Sequence, residues 1–286
     1  MLPGTNTNTV TVAQALRHLA LQGVDRLDAQ RLLGSVLGCE DRGWLLAHGE
    51  AVVSAQSARQ LQTLLTRYQA GEPMGYLLGA QEFHGLLLHV DARVLVPRPD
   101  TETLVDWALK VLPPAPEQPL RVLDLGTGSG AIALALQARR PQWQVCATDA
   151  SEDALDVARS NAHRLGLTID WFAGDWFAAL PPGAAQQGFD AIVSNPPYIA
   201  EGDAHLSALH QEPALALRSG ADGLDALRTI IGNAPTHLRP GGWLLLEHGY
   251  DQAMAVRNLL QAQGMAMVST RRDLAGIERC SGGRVE

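Results

Sequence analysis

Asn195-Pro196-Pro197-Tyr198 follows an apolar run, Ala191-Ile192-Val193. An Asn where an apolar strand ends stands at the rim where ligands bind in open α/β sheets. Two prolines fix φ and remove two backbone donors, and Pro196 biases Asn195 toward an extended conformation. The rim therefore offers acceptors, the Asn195 side-chain oxygen and the Pro196 carbonyl, with few competing donors. Tyr198 adds an aromatic face. This arrangement suits a planar NH₂ group, with its two N–H bonds on two acceptors and a ring stacked on its plane. An amide nitrogen is a poor nucleophile because its lone pair is delocalised into the carbonyl. Holding both hydrogens sets its lone pair in line with an electrophile, so the gain is proximity and orientation. The same acceptors stabilise positive charge developing on the nitrogen. No strong general base is evident, and the proton leaves after transfer, when the nitrogen is acidic. A proline-rich turn is the plain alternative, so the tetrapeptide takes its weight from what precedes it.

Upstream, Asp124-Leu125-Gly126-Thr127-Gly128-Ser129-Gly130 follows a buried strand and opens a helix. Glycines there let backbone approach a ligand where a Cβ would collide. An ordinary strand-to-helix turn needs one glycine; Gly126, Gly128 and Gly130, with an acid just before them, exceed that need. Asp149 ends the next strand, 19 residues after Gly130. A carboxylate at that spacing accepts hydrogen bonds from both ribose hydroxyls. Its alternative role is to cap the following helix, for which Ser151 would suffice. The segment also satisfies the looser dinucleotide fingerprint through Gly126, Gly128 and Ala131, so a nicotinamide oxidoreductase stays open here, although it leaves Asn195 to Tyr198 unexplained. A phosphate-binding P-loop needs Gly-Lys-Ser/Thr, and no Lys is present. A hydrolase elbow centred on Ser129 needs glycines where Thr127 and Ala131 stand.

These residues require a scaffold. From Leu120 the chain alternates strand and helix: Val122-Leu123, helix Ala131 to Arg139, Val145 to Ala147, helix Asp153 to Leu165, Ile169 to Ala173, Ala191 to Val193, helix near Leu224 to Leu238, Trp243 to Leu246, helix Gln252 to Gln263, and a strand near Met267. Such alternation predicts a parallel sheet with helices on both faces. The first 75 or so residues read as helices, with a capping-box spacing at Thr11 and Gln14, helices over Leu27 to Leu37 and Gly43 to His48, and a longer one after Ser54. Between them, Gln81 to Pro97 reads as a β-hairpin turning near Asp91-Ala92. Asp100 or Thr101 then caps a helix through Val111, and Pro113, Pro114, Pro116 and Pro119 form a stiff linker.

The chain has 286 residues, 46% of them hydrophobic, enough for a buried core. Its net charge of −8, with a single lysine, Lys110, speaks against duplex nucleic acid as a stable partner. Cys39, Cys146 and Cys280 are far apart and form no Cys-x-x-Cys pair, so neither a zinc site nor a disulfide framework is signalled and no metal is expected. No basic region leads into an apolar run at the N-terminus, and no charge-free apolar stretch reaches about 18 residues. A cytoplasmic protein without a membrane partner is expected.

The whole chain resembles the peptide chain release factor glutamine methyltransferases, the PrmC/HemK family of class I S-adenosylmethionine (SAM)-dependent methyltransferases. The matching stretches are Arg98-Pro99-Asp100-Thr101-Glu102, Asp124 to Gly130, Asp149, Gly174-Asp175-Trp176-Phe177, and Asn195 to Tyr198 followed by Ile199. The resemblance implies transfer of a methyl group from SAM to the side-chain amide nitrogen (N5) of the glutamine in the Gly-Gly-Gln motif of bacterial class I release factors. It implies SAM contacts from Gly126, Thr127, Gly128, Ser129, Gly130, Asp149 and Asn195, with Trp176 bordering the adenine. Asn195, Pro196, Pro197 and Tyr198 would hold the glutamine amide. Arg98 to Glu102 would pack close to the SAM pocket.

The expected fold is α/β: a Rossmann-like class I methyltransferase sheet (120–286), a small N-terminal helical bundle domain that helps recognise substrate (1–75), and a β-hairpin and helix linker (76–119). Family members usually end in a strand hairpin that completes a seven-stranded sheet. Gly282-Gly283-Arg284-Val285-Glu286 leaves little chain for a full last strand, so a shortened edge is expected. Three other functions remain open. A nucleic-acid adenine-N6 methyltransferase would use the same acceptors on a flipped base; a ribosomal-protein glutamine methyltransferase is a close variant; a non-catalytic module would bind a partner through its N-terminal helices.

Overall fold

The computed structural model describes residues 10–39, 41–113, 118–183 and 187–286. Pro114 and Pro116 of the expected linker, and the polar stretch before Val10, lie outside them. The chain divides into two units, 1–79 and 80–286.

In the first unit, side chains that compete with the backbone for hydrogen bonds start the helices. Thr11 and Gln14 form the capping box that begins α1 (Val12–Leu21). Asp25, Asp41 and Ser54 cap α2 (Arg26–Leu37), α3 (Arg42–Ala47) and α4 (Ala55–Gln69). Gly38, at φ +63°, closes α2, as a left-handed glycine does at a helix end. The short α5 (Met74–Leu78) follows Pro73. The apolar stripes meet in a core of Leu19, Leu32, Leu33, Leu45, Leu61 and Leu65. A two-residue pairing of β1 (Val10–Thr11) with β2 (Val52–Val53) adds a ribbon that the helical periodicity gives no sign of.

The second unit opens with the hairpin β3 (Ala80–Phe83) and β4 (Leu86–His89). Its turn is at His84-Gly85, not at the expected Asp91-Ala92. Both turn residues have positive φ, +50° and +83°, the conformation that matches the twist of a two-residue hairpin. The expected strand at Val94 to Val96 does not form; the Val96 N–H is taken by the Glu212 carboxylate at 3.1 Å. Helix α6 (Glu102–Val111) begins from a 3₁₀ turn at Pro99–Thr101 without a side-chain cap from Asp100 or Thr101. The Thr101 hydroxyl is engaged by the Asn195 amide instead. From Ala80 the expected linker belongs to this unit: Phe83, Leu88, Leu104, Val105, Trp107 and Ala108 are core residues together with Val122, Ala191 and Val193.

The main sheet contains β5 (Arg121–Leu125), β6 (Gln144–Asp149), β7 (Asp170–Ala173), β8 (Phe189–Ser194), β9 (Leu238–Glu247), β10 (Ala266–Arg272) and β11 (Glu278–Arg284). Their order is β10-β11-β9-β8-β5-β6-β7. The central strands are parallel, and β11 runs antiparallel between β9 and β10. Helices α7 (Ala131–Arg139), α8 (Glu152–Leu165), α9 (Asp225–Asn233) and α10 (Ala253–Ala262) connect them. The expected helix to Leu238 ends at Asn233, because Pro235 lacks the N–H that a helix interior needs and Leu238 already pairs with Phe189. The last strand is not shortened: β11 pairs from Cys280 to Arg284 with β9. Its glycines fit a crowded position, since a Cβ on Gly282 would lie 2.4 Å from the Leu244 carbonyl oxygen.

Strand order reverses between β5 and β8. From β5 the chain proceeds through β6 to β7 on one side, and from β8 to β9 on the other. A crevice at the carboxyl ends of these two strands follows from the topology. The glycine loop leaves β5 and Asn195 leaves β8.

Candidate active site

The crevice is a cavity of about 440 Å³, within the range of small-molecule sites. Gly126, Gly128, Asp149, Trp176, Asn195 and Pro197 line it. The chain thus brings together residues from after β5, β6, β7 and β8.

The loop after β5 is built around Asp124, which is fully buried. Its Oδ2 accepts the Thr127 hydroxyl at 2.6 Å and the Ala133 N–H at 3.2 Å. Burial pushes the Asp124 carboxyl up to about 7, against those two donors. Gly126 and Thr127 donate their N–H groups to the Thr148 carbonyl. Gly126 and Gly128 have φ of +70° and +56°, which glycine adopts without steric cost. A Cβ on Gly126 would come within 3.2 Å of the Trp176 ring, whereas one on Gly128 would meet nothing within 4 Å. Gly128 therefore presents bare backbone to the cavity.

Thr127, Ser129 and Gly130, expected to contact the cofactor, do not line the cavity. Thr127 and Ser129 are buried, Thr127 turned to Asp124 and the Ser129 carbonyl accepting from Asn161. Gly130 packs against Leu134, Ala158 and Trp171. These three shape the loop from behind, because a loop closing onto a helix can offer only one side to a ligand.

At the end of β6, Asp149 accepts Gly128 N–H on Oδ2 at 2.8 Å and Ser151 N–H on Oδ1 at 2.9 Å. Ser151 caps α8 itself, accepting from Ala154, so the cap does not need Asp149. Burial raises the Asp149 pKa, and the backbone donors of Ser151 and Gly128 oppose that shift. Each carboxylate oxygen keeps lone-pair capacity beyond its one backbone bond. Trp176 follows β7 at φ +43° and borders the cavity beside Gly126.

At the end of β8, Ser194 is buried and its hydroxyl donates to the Leu125 carbonyl at 2.6 Å, tying the two strand ends together. The Asn195 Nδ2 donates to the Thr101 hydroxyl at 3.1 Å. Pro197 faces the cavity, while Pro196 is buried and Tyr198 partly so. The Tyr198 hydroxyl donates to Glu247 at 3.3 Å, and burial beside that carboxyl pushes its pKa up.

Residues 11–79 match the family described as the PrmC N-terminal domain, and residues 102–264 match the methyltransferase small domain. The release factor glutamine methyltransferase of Bordetella pertussis is 52% identical over 269 residues, covering 93% of this chain and 97% of that one. The release factor glutamine methyltransferase of Xylella fastidiosa strain Temecula1 is 48% identical over 273 residues, covering 94% and 97%. The chain belongs to the release factor glutamine methyltransferase family. A solved methyltransferase from Pyrococcus furiosus shares the fold, with a TM-score of 0.52 at 20% identity over 80% of this chain and 98% of that one.

Two parts of this methyltransferase's site were not read from its sequence. One wall of the cavity comes from Val94-Leu95 and from Leu215, Ala216 and Arg218. The segment between β8 and α9 is held at its root by Ile199 N–H on the Leu217 carbonyl and Ser219 N–H on the Ile199 carbonyl. Near its middle, the buried Glu212 accepts from Val96 N–H and pairs with Arg98. Neither segment has periodicity to flag it. The second is a neighbour of the rim and does not line the cavity: Glu247, which ends β9, is 1% exposed and accepts the Tyr198 hydroxyl. Its signal was available: an acid closing the apolar run Leu244-Leu245-Leu246, as Asp149 closes β6.

Proposed function

We propose that this methyltransferase binds SAM in the cavity between the ends of β5 and β8 and methylates the side-chain amide nitrogen of a release factor glutamine held at Asn195. The observation that carries this reading is that the glycine loop, Asp149 and Asn195 open into one cavity at the point where strand order reverses.

The cofactor fits the residues present. Asp149 offers free lone pairs for two ribose hydroxyls. Gly126 and Gly128 give backbone access without a side chain in the way, and the Trp176 ring provides an apolar wall for a flat base. When bound, SAM supplies an electrophilic methyl group on a sulfonium.

The remaining work falls to the chain's own residues. With its NH₂ end committed to Thr101, Asn195 keeps Oδ1 as an acceptor for one glutamine N–H. The Pro196 carbonyl takes the other, and Tyr198 offers its ring to the amide plane. Pro196 and Pro197 contribute no N–H that could compete for those acceptors. The two hydrogen bonds fix the direction of the nitrogen lone pair, which converts encounter into alignment. They also gain strength as positive charge appears on nitrogen. After transfer the nitrogen briefly carries both hydrogens and the methyl group; it is then acidic and releases one proton without a strong base.

The test is incubation of the full chain with methyl-labelled SAM and, separately, a class I release factor, ribosomal proteins and DNA. Mass spectrometry should place the label on the glutamine of Gly-Gly-Gln in the release factor. Label on an adenine or on a ribosomal-protein glutamine, with none on the release factor, would overturn the reading.

A further inference from the structure

The rim from Asn195 to Tyr198 has few backbone donors by which it could be anchored, because Pro196 and Pro197 have no N–H. It is held at its two ends instead. Upstream, Ser194 belongs to the β8 ladder, and its hydroxyl donates to the Leu125 carbonyl at 2.6 Å. Downstream, the peptide that joins Tyr198 to Ile199 is gripped on both edges. The Ile199 N–H donates to the Leu217 carbonyl at 2.9 Å, and the Tyr198 carbonyl accepts from Nε2 of Gln252 at 3.0 Å. The Tyr198 hydroxyl meets Glu247 at 3.3 Å, so the ring is spanned between two fixed points.

Gln252 comes from the turn between β9 and α10. It stands at the N-cap of α10, where a side-chain oxygen ordinarily accepts from the first turn of the helix. Gln252 makes no such bond. Its amide is committed to three backbone groups. Oε1 accepts the Gly249 N–H at 2.8 Å, and Nε2 donates to the Tyr198 carbonyl and, at 3.2 Å, to the Gly223 carbonyl. Both amide hydrogens are used. The partners also fix which end of the amide is which: a backbone N–H can only donate and a carbonyl only accept, so a reversed amide would lose all three bonds. Gly223 is shaped to this contact. At φ +76°, a Cβ there would run into the Tyr198 carbonyl and lie 2.7 Å from Nε2. Gly223 closes the segment that leaves the rim at Ile199 and supplies Leu215, Ala216 and Arg218 to the cavity wall. One side-chain amide thus joins the start of that segment, its end, and the turn after β9.

We propose that Gln252 is a positioning residue for methyl transfer: through the Tyr198 carbonyl it sets the angle of the Tyr198 ring, and with it the rim on which the acceptor amide lies. This rests on the placement of the glutamine amide at Asn195 given above. The cofactor contacts described there come from the loops after β5, β6 and β7. The bonds of Gln252 go instead to the residues after β8 and β9 and to the turn before α9. Gln252 therefore acts on the acceptor side of the cavity.

The experiment compares the full-length wild type with Q252M, Q252E and G166A. Methionine matches glutamine in length but makes none of the three bonds. Glutamate keeps the acceptor for Gly249 and sets an oxygen against the two carbonyls. Gly166 ends α8 with open space around it, so G166A lowers stability away from the rim. The measurements are kcat and KM for the release factor, SAM affinity by calorimetry, and stability in urea. Q252M and Q252E should each lower kcat roughly tenfold or more, the scale of a misaligned reacting group. SAM affinity and KM should stay within about threefold of wild type, as they do when an interaction made in the transition state is lost. G166A should lose stability and keep wild-type kcat, which separates alignment from general weakening of the fold. Wild-type kcat in either Gln252 variant, a fall in SAM affinity that matches the fall in kcat, or a G166A variant as slow as Q252M would overturn the proposal. Should Q252M fail to fold, Q252E decides by the same readings. A wild type that leaves the release factor unlabelled refutes the function proposed above instead.

Discussion

The Gly128 N–H donates to the Asp149 carboxylate at 2.8 Å. The tip of the glycine loop and the acid at the end of the neighbouring strand are therefore one unit. Asp149 holds the loop in the shape that exposes Gly128 backbone, and the loop keeps the Asp149 carboxylate turned to the cavity. A second backbone donor, Ser151 N–H, fixes its other oxygen.

Asp149→Ala removes the anchor of Gly128 and, on the function proposed above, the acceptor for ribose hydroxyls. SAM affinity should fall roughly tenfold to hundredfold, the range for a charge-assisted hydrogen bond with loss of order around it. Calorimetric titration checks this. Affinity equal to wild type would remove Asp149 from the cofactor site.

Asn195→Ala should separate binding from chemistry. On the placement proposed above, the side chain supplies one of the two acceptors for the substrate amide. Methyl transfer should drop by roughly a hundredfold or more, with SAM affinity kept. A labelled-methyl assay beside calorimetry reads both. An N195A variant with full activity would leave the rim at Asn195 to Tyr198 without a role in transfer.

Gly130 supports the loop from behind, at φ +83° with a built Cβ 3.0 Å from Leu134 and 3.2 Å from Ala158 and Trp171. Gly166 has a similar φ of +66° at the end of α8, but open space around it. Gly166→Ala should cost about 1–2 kcal/mol from backbone strain alone. Gly130→Ala should cost about 2–4 kcal/mol, strain and crowding together. Urea denaturation of the two variants tests the difference. Equal losses would show that the neighbours of Gly130 give way freely.

Much of the site was legible because its constraints are local. Gly126, Gly128 and Asp149 sit at spacings that the strand-loop-helix unit imposes, and Thr11 with Gln14 announces its helix. What failed was set by distant partners. Val94 to Val96 is as apolar as a strand, but its place is decided by Glu212, far along the chain. His84-Gly85 lacks the Asn-Gly signature of its turn type. Gly282-Gly283 reads as a loose tail, yet it is the part of β11 squeezed between two strands. Glu247 carries no motif that ties it to the rim; only the register of β8 with β9 brings that acid level with Asn195.

Asp124 gives a pH dependence whose sign is fixed by burial. Its pKa is raised from 3.8 to about 7 in the folded chain, so the folded state holds a proton that the unfolded state has already released. Stability should therefore fall as pH rises from about 4 to about 7 and level off above that. Asp124→Asn keeps an acceptor oxygen for Thr127 and Ala133 but has no proton to lose. Between pH 5 and pH 8 the wild type should lose roughly 2 kcal/mol more than D124N. The comparison cancels the other titrating groups, Glu247 included. Urea denaturation of both proteins at the two pH values measures it, and identical losses would mean that Asp124 does not titrate in this window.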